Sequence, residues 1–104
     1  MKDAQLRDAL FSFVEDTFPD PNDRPVIFDD HAYDKSIVGV TEDSGRLVYD
    51  YAKMIEEFAE DEGCSLEEAQ EWVDYNTIRA LPYMGDHSPI LITDITRIKD
   101  VYGG

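Results

Sequence analysis

Nine carboxylates fall between Met54 and Ile78 (Glu56, Glu57, Glu60, Asp61, Glu62, Glu67, Glu68, Glu71 and Asp74), with no lysine or arginine among them. On a helix, side chains three or four positions apart lie about 5–6 Å from one another. Glu57, Glu60 and Asp61 can therefore form one row, and Glu67, Glu68, Glu71 and Asp74 another. That separation approaches the repeat of phosphates along a nucleic-acid strand. Like charges at these spacings destabilise a helix by about 0.2–0.5 kcal/mol per pair, so the pattern opposes folding and a use for it is reasonable. A solvated face on a very soluble protein is the plainer account, and an anionic docking surface is the functional one. On the functional account the partner-binding residues are Glu56, Glu57, Glu60, Asp61, Glu67, Glu68, Glu71 and Asp74. The partner is then a basic nucleic-acid-binding protein such as a nuclease, whose arginines and lysines would meet carboxylates in place of phosphates.

A second acidic field runs through Glu15, Asp16, Asp20, Asp23, Asp29, Asp30 and Asp34, interrupted by Arg24 alone before Lys35. If both fields face one way they form an extended anionic strip. Within the second field, Asp29, Asp30, His31 and Asp34 have the donor types of a divalent-metal site. Their spacing matches neither the alternating acidic ligands of an EF-hand nor the two-histidine helix of zinc proteases. A solvated or capping loop is the simpler reading, and no metal or other cofactor is expected.

Other reactive types have local explanations. Asp86 and His87 are adjacent, and neighbours seldom address one reacting atom; Gly85 to Pro89 reads as a turn. Ser65 is placed to cap a helix, and Cys64 has no basic neighbour in sequence to lower its pKa. Phosphate-binding glycine loops, dinucleotide fingerprints and nucleophile elbows do not occur. No catalytic residue is assigned, and the chain is not expected to be an enzyme. Arg79, the only lysine or arginine between Lys53 and Arg97, is expected to pair with a carboxylate or to cap carbonyls at a helix end. Trp72, Tyr75 and Tyr83 could form an aromatic recognition patch, but aromatics at this density read first as core or core edge.

The elements that must position these residues follow from composition and periodicity. The 104 residues carry 24 acids against 9 bases, a net charge of −15, with 42% hydrophobic and 12% aromatic residues. A domain of this size exposes roughly 6,000 Å², so excess negative charge recurs about every 400 Å² and phosphate is repelled. Direct nucleic-acid binding is excluded on that ground, while the apolar content suffices for one core. With one cysteine, no intrachain disulfide can form, and a cytoplasmic setting is expected. The N-terminus has acids from Asp3 onward and reads as mature protein rather than signal peptide. Apolar runs such as Ile90-Leu91-Ile92 fall far short of the ~20 residues of a membrane span.

Leu6, Leu10, Phe13 and Val14 predict an amphipathic helix over about Asp3 to Phe18, and Pro19, Pro21 and Pro25 an acidic loop after it. Val26-Ile27-Phe28 is read as a short strand, and Asp29 to Lys35 as surface. Ser36 to Thr41 and Arg46 to Tyr51 are β-rich runs around Glu42-Asp43-Ser44-Gly45, a hairpin in which Leu47, Tyr49 and Tyr51 share the inner face. Asp50 can cap a helix carrying Met54, Ile55 and Phe58 and ending at Gly63. Ser65 and Glu68 form a capping box that opens a second helix with Leu66, Ala69, Trp72, Val73 and Asn76 on one stripe. Pro82 and Gly85 end that unit, Ile90 to Ile92 is extended, and Ile95, Ile98 and Val101 suggest a short final helix. The expectation is a single α+β domain over residues 1–104: a small antiparallel sheet built on the hairpin, packed against an N-terminal helix and a helical hairpin.

The stretch Glu67-Glu68-Ala69-Gln70-Glu71-Trp72-Val73-Asp74-Tyr75-Asn76-Thr77-Ile78-Arg79-Ala80-Leu81-Pro82-Tyr83-Met84-Gly85, with His31-Ala32-Tyr33-Asp34, resembles small acidic proteins of bacterial phages and mobile elements. The resemblance covers about half the chain and implies a bacterial or phage setting. That group has no assigned chemistry, so the resemblance supplies no catalytic residue. Small acidic proteins of such elements often inhibit host nucleases and other DNA-binding defences, anti-CRISPR proteins among them, which makes nucleic-acid mimicry the leading expectation. The alternative is a cytoplasmic protein–protein interaction module that uses the Trp72 to Tyr83 segment, its charge serving solubility.

Overall fold

The computed structural model describes residues 3–43 and 45–96. Its elements are α1 (Asp3–Thr17), β1 (Ile37–Val40), β2 (Leu47–Asp50), α2 (Tyr51–Glu62), α3 (Leu66–Trp72) and β3 (Ile90–Ile92), with 3-10 turns at Pro21–Asp23, His31–Ser36 and Ile78–Tyr83 and a π-helical turn at Val73–Thr77. The chain is an α+β domain. No described helix is long and apolar enough to cross a membrane.

The hairpin forms where expected. β1 and β2 pair antiparallel with an irregularity between Ile37 and Gly39, and Gly45 turns the chain at φ +62°. A Cβ at Gly45 would lie 2.8 Å from Phe18 Cε1, so both the backbone and the space there suit glycine alone. β3 departs from the expected antiparallel sheet. It joins β2 in parallel, Tyr49 opposite Leu91, making a mixed sheet of order β1-β2-β3. The chain between β2 and β3, residues 51–89, is the long crossover that a parallel pair requires. Val26 to Phe28 is no strand: Val26 N–H donates to His87 O, and Phe28 N–H to the Tyr49 hydroxyl, which leaves no ladder for it to join.

Leu47 and Tyr49 point inward and are fully buried, as the alternation requires. They meet Phe28, Tyr33, Met54, Ile55, Phe58, Ala59, Ala69 and Val73 in one core. α2 lies between the His31–Ser36 turn and α3. Its ends are those the sequence specifies: the Asp50 carboxylate accepts from Lys53 N–H, and Gly63 closes it in the left-handed conformation at φ 68°. The inward stripe of α1 differs from the expected one. Phe13 is turned outward, whereas Arg7 is buried alongside Val14. Asp29 to Lys35 is not simply surface either, since Ala32, Tyr33 and Asp34 are interior. Of the residues of the expected final helix, Ile95 alone is described, and Ile98 and Val101 lie outside the described residues.

Ser36 is wholly buried, and its Oγ has no hydrogen-bond partner among the described residues. An orphaned hydroxyl carries a desolvation penalty of about 1–3 kcal/mol. Ser36→Ala is therefore expected to leave stability unchanged or raise it by about 1 kcal/mol. A urea midpoint lowered by the substitution would show that the hydroxyl is satisfied.

Candidate functional site

The eight expected binding carboxylates all reach the surface but do not form one face. Glu57, Glu60 and Asp61 share a side of α2, as their spacing dictates, and line a shallow cleft of about 300 Å³ with Ala32 and Lys35. Glu56 is about 100° round the helix from Glu57 and about 40° from Glu60. It faces a groove of about 500 Å³ between α2 and α3, whose apolar members are Ala52, Ile55 and Leu66 and whose opposite wall carries Glu67 and Gln70. On α3, Glu67, Glu68 and Glu71 are exposed, as is Asp74 just beyond it. Two of these acids also hold the fold together. Glu68 closes the capping box, its N–H donating to Ser65 Oγ at 3.1 Å and its carboxylate accepting from Ser65. Asp74 accepts a hydrogen bond from the Tyr51 hydroxyl. Burial, and then that bond to Asp74, raises the Tyr51 pKa.

The second acidic field breaks up rather than forming a strip. Asp20 caps the Pro21–Asp23 turn, Asp30 caps His31–Ser36 through Ala32 N–H at 2.9 Å, and Asp34 is interior, ion-paired with Arg7 at 2.7 Å. The aspartates of the Asp29, Asp30, His31 and Asp34 quartet thus do not converge, and among the described residues no group of three or more His, Cys, Asp or Glu could hold a metal ion. Asp29 and Asp30 instead line a cleft of about 250 Å³ that also receives Phe28, Tyr33, Trp72 and Asn76. Here Asp29 and Asp30 come beside Trp72 at the end of α3.

The segment after α3 corrects two expectations. Helical spacing places Leu66, Trp72 and Asn76 on one buried stripe with Ala69 and Val73, but only the latter two are buried. Leu66 opens the helix and projects beyond the core. Past Trp72 the backbone widens into a π turn, with Ile78 N–H donating to Val73 O. One extra residue in a turn rotates everything after it. Thr77 is carried inward, its hydroxyl 3.1 Å from that of Tyr33, while Tyr75 is left 67% and Tyr83 89% exposed. Trp72 lies on Phe58 with ring centroids 5.7 Å apart and planes at 18°, yet half its surface stays open. These three aromatics are therefore not core. Among the described residues Arg79 meets no carboxylate and caps no helix; its guanidinium sits 4.6 Å from the Tyr75 ring centroid.

Arg24 and Arg46 are also turned away from the acids of α2 and α3. Arg24 donates to the carbonyls of Phe18 and Pro19, and Arg46 to Ser88 O and Oγ. Ser65 is a cap, Cys64 is half-buried against the core, and His87 holds the Val26 amide through its carbonyl. Sequence reasoning missed Arg7 as an interior residue and missed the aromatic cleft. Neither has a local signal, because each is assembled from segments more than twenty residues apart.

Fold and surface together define a small α+β domain whose α2 and α3 carry exposed carboxylates on more than one side, with exposed aromatic rings after α3. No family model matches the chain, and neither a curated protein nor a solved structure is similar to it.

Proposed function

We propose that this chain is a non-enzymatic binding protein whose carboxylates on α2 and α3 occupy the basic, nucleic-acid-binding surface of a partner protein and displace its nucleic acid. The setting proposed is the bacterial cytoplasm, with a phage or mobile element as the source and a host nuclease or similar defence as the target, an anti-CRISPR-like role. One observation carries the reading: Arg7, Arg24, Arg46 and Arg79 bind an interior aspartate, backbone carbonyls, a serine and a tyrosine ring. The acids of α2 and α3 remain in large excess over Lys35, the cation that shares the cleft of Glu57, Glu60 and Asp61, and their net negative field steers and holds a cationic partner.

The test is affinity capture from a bacterial lysate followed by competition on the captured protein. The wild-type chain is compared with Glu67→Gln, Glu68→Gln, Glu71→Gln, Asp74→Asn, in which the capping box and the Tyr51 acceptor survive. The captured protein should bind nucleic acid, and the wild-type chain should displace that nucleic acid at low salt. The variant should be weaker by more than about tenfold, and wild-type binding should fall steeply with added salt. A partner held equally by both forms and insensitive to salt would refute mimicry. It would favour a second reading, a docking module built on the exposed rings of Trp72, Tyr75 and Tyr83.

A further inference from the structure

The cleft beside the π turn has a composition unlike the other acidic surfaces. Phe28 and Tyr33 are buried in its floor, their rings edge to face at 5.7 Å and 72°. Trp72 forms a wall, fixed against Phe58 on one side and half exposed. Asp29 and Asp30 stand on the rim. Asp30 uses Oδ1 to cap the following turn, which fixes its carboxylate in place. The Asn76 amide is oriented by its Nδ2 donating to Trp72 O at 3.1 Å, which leaves Oδ1 as an acceptor. Rigid aromatic faces with acceptors beside them suit a flat cation, and tryptophan is the best of the rings for it.

We infer that this cleft is the seat of an arginine side chain supplied by the basic partner, the guanidinium lying against Trp72 and donating to Asp29 and to Asn76 Oδ1. The inference rests on the reading above that the partner is basic, and it gives that partner a specific anchor. Charge complementarity selects a cation, since the chain carries −15 overall and the rim is acidic. The planar fork of arginine stacks on a ring and reaches a carboxylate with two donors, whereas the ammonium of lysine is a strongly hydrated point charge. The same segment already holds one guanidinium in this way, Arg79 over Tyr75 at 4.6 Å.

Trp72 is the only tryptophan in the chain, so its fluorescence and its indole N–H resonance report the cleft directly. The full chain is titrated at low salt with tetra-arginine, tetra-lysine and tetra-glutamine peptides, and total binding is followed by calorimetry. Tetra-arginine is expected to move the Trp72 signals saturably and to bind about fivefold more tightly than tetra-lysine, with tetra-glutamine silent. Asp29 is exposed, so Asp29→Asn preserves the fold, and it should weaken tetra-arginine about three- to tenfold. Trp72→Leu should weaken it about tenfold. Tetra-arginine binding with the Trp72 signals unmoved and both variants unaffected would overturn the cleft while leaving the acidic docking surface standing. Failure of both cationic peptides to bind would overturn the cleft and the acidic docking surface together.

Discussion

Asp34→Ala is expected to lower the free energy of unfolding by about 3–5 kcal/mol, a large share of the roughly 5–15 kcal/mol available to a domain of this size. The Asp34 side chain is 1% exposed and that of Arg7 10%. Arg7 Nε donates to Asp34 Oδ2 at 2.9 Å and Nη2 to Oδ1 at 2.7 Å, while Nη2 also reaches Phe28 O at 2.7 Å. One guanidinium thus joins α1, the His31–Ser36 turn and the segment entering the core. Asp34, through its hydrogen bond above all, raises the Arg7 pKa, so the group stays charged at any ordinary pH. Removing the carboxylate leaves that cation in the interior with one carbonyl, and desolvation is then uncompensated. The double substitution Arg7→Met, Asp34→Leu should recover much of the loss, because replacing both charges by apolar groups removes the desolvation term with the attraction. Urea unfolding followed by Trp72 fluorescence measures all three. A single variant within about 1 kcal/mol of the parent would mean that water screens the pair.

That ion pair marks the limit of what the sequence could disclose. Helix caps and the hairpin turn, each closed within a few residues, were legible. Asp50 and Gly63 bound α2, Ser65 and Glu68 box the start of α3, and Gly45 turns the hairpin, because capping and turn geometry depend on residue type at fixed short offsets. The apolar run Ile90 to Ile92 was legible as a strand but not in its direction, since side-chain period identifies a strand and only the crossover decides its neighbour. Arg7 stands outside the apolar positions Leu6, Leu10, Phe13 and Val14 that periodicity marks. Its burial depends on a carboxylate 27 positions later, to which no periodicity points. The acidic row of Glu57, Glu60 and Asp61 followed from helical spacing, but the groove that parts Glu56 from Glu67 depended on how α2 meets α3. The outward turn of Tyr75 came from the π segment, and the inserted residue there has no compositional mark.

Alkaline pH should unfold this protein earlier than its carboxylates and arginines would suggest, with stability falling by about 2–3 kcal/mol between pH 10 and pH 12 through Tyr49. Tyr49 is fully buried, and burial pushes its phenol up to about 12, against the lowering effect of the Phe28 N–H that donates to it at 3.2 Å. Below pH 10, the ordinary tyrosine value, folded and unfolded chains both hold the proton and the contribution is fully present. Above it the unfolded chain ionises first. Unfolding then releases a proton, and stability declines by about 1.4 kcal/mol per pH unit until the folded phenol ionises as well. Tyr33, raised chiefly by burial, and Tyr51, raised by burial and Asp74, act in the same direction. Tyr49→Phe separates the terms. It strands the Phe28 N–H and should begin about 1–3 kcal/mol less stable at neutral pH, yet it lacks the ionisation and should lose less on the way up. Unfolding free energies at pH 8, 10 and 11 are therefore expected to converge for the two proteins as the pH approaches 12. Parallel curves would assign the alkaline loss to repulsion across the whole acidic surface, which both proteins share, and not to the buried phenol.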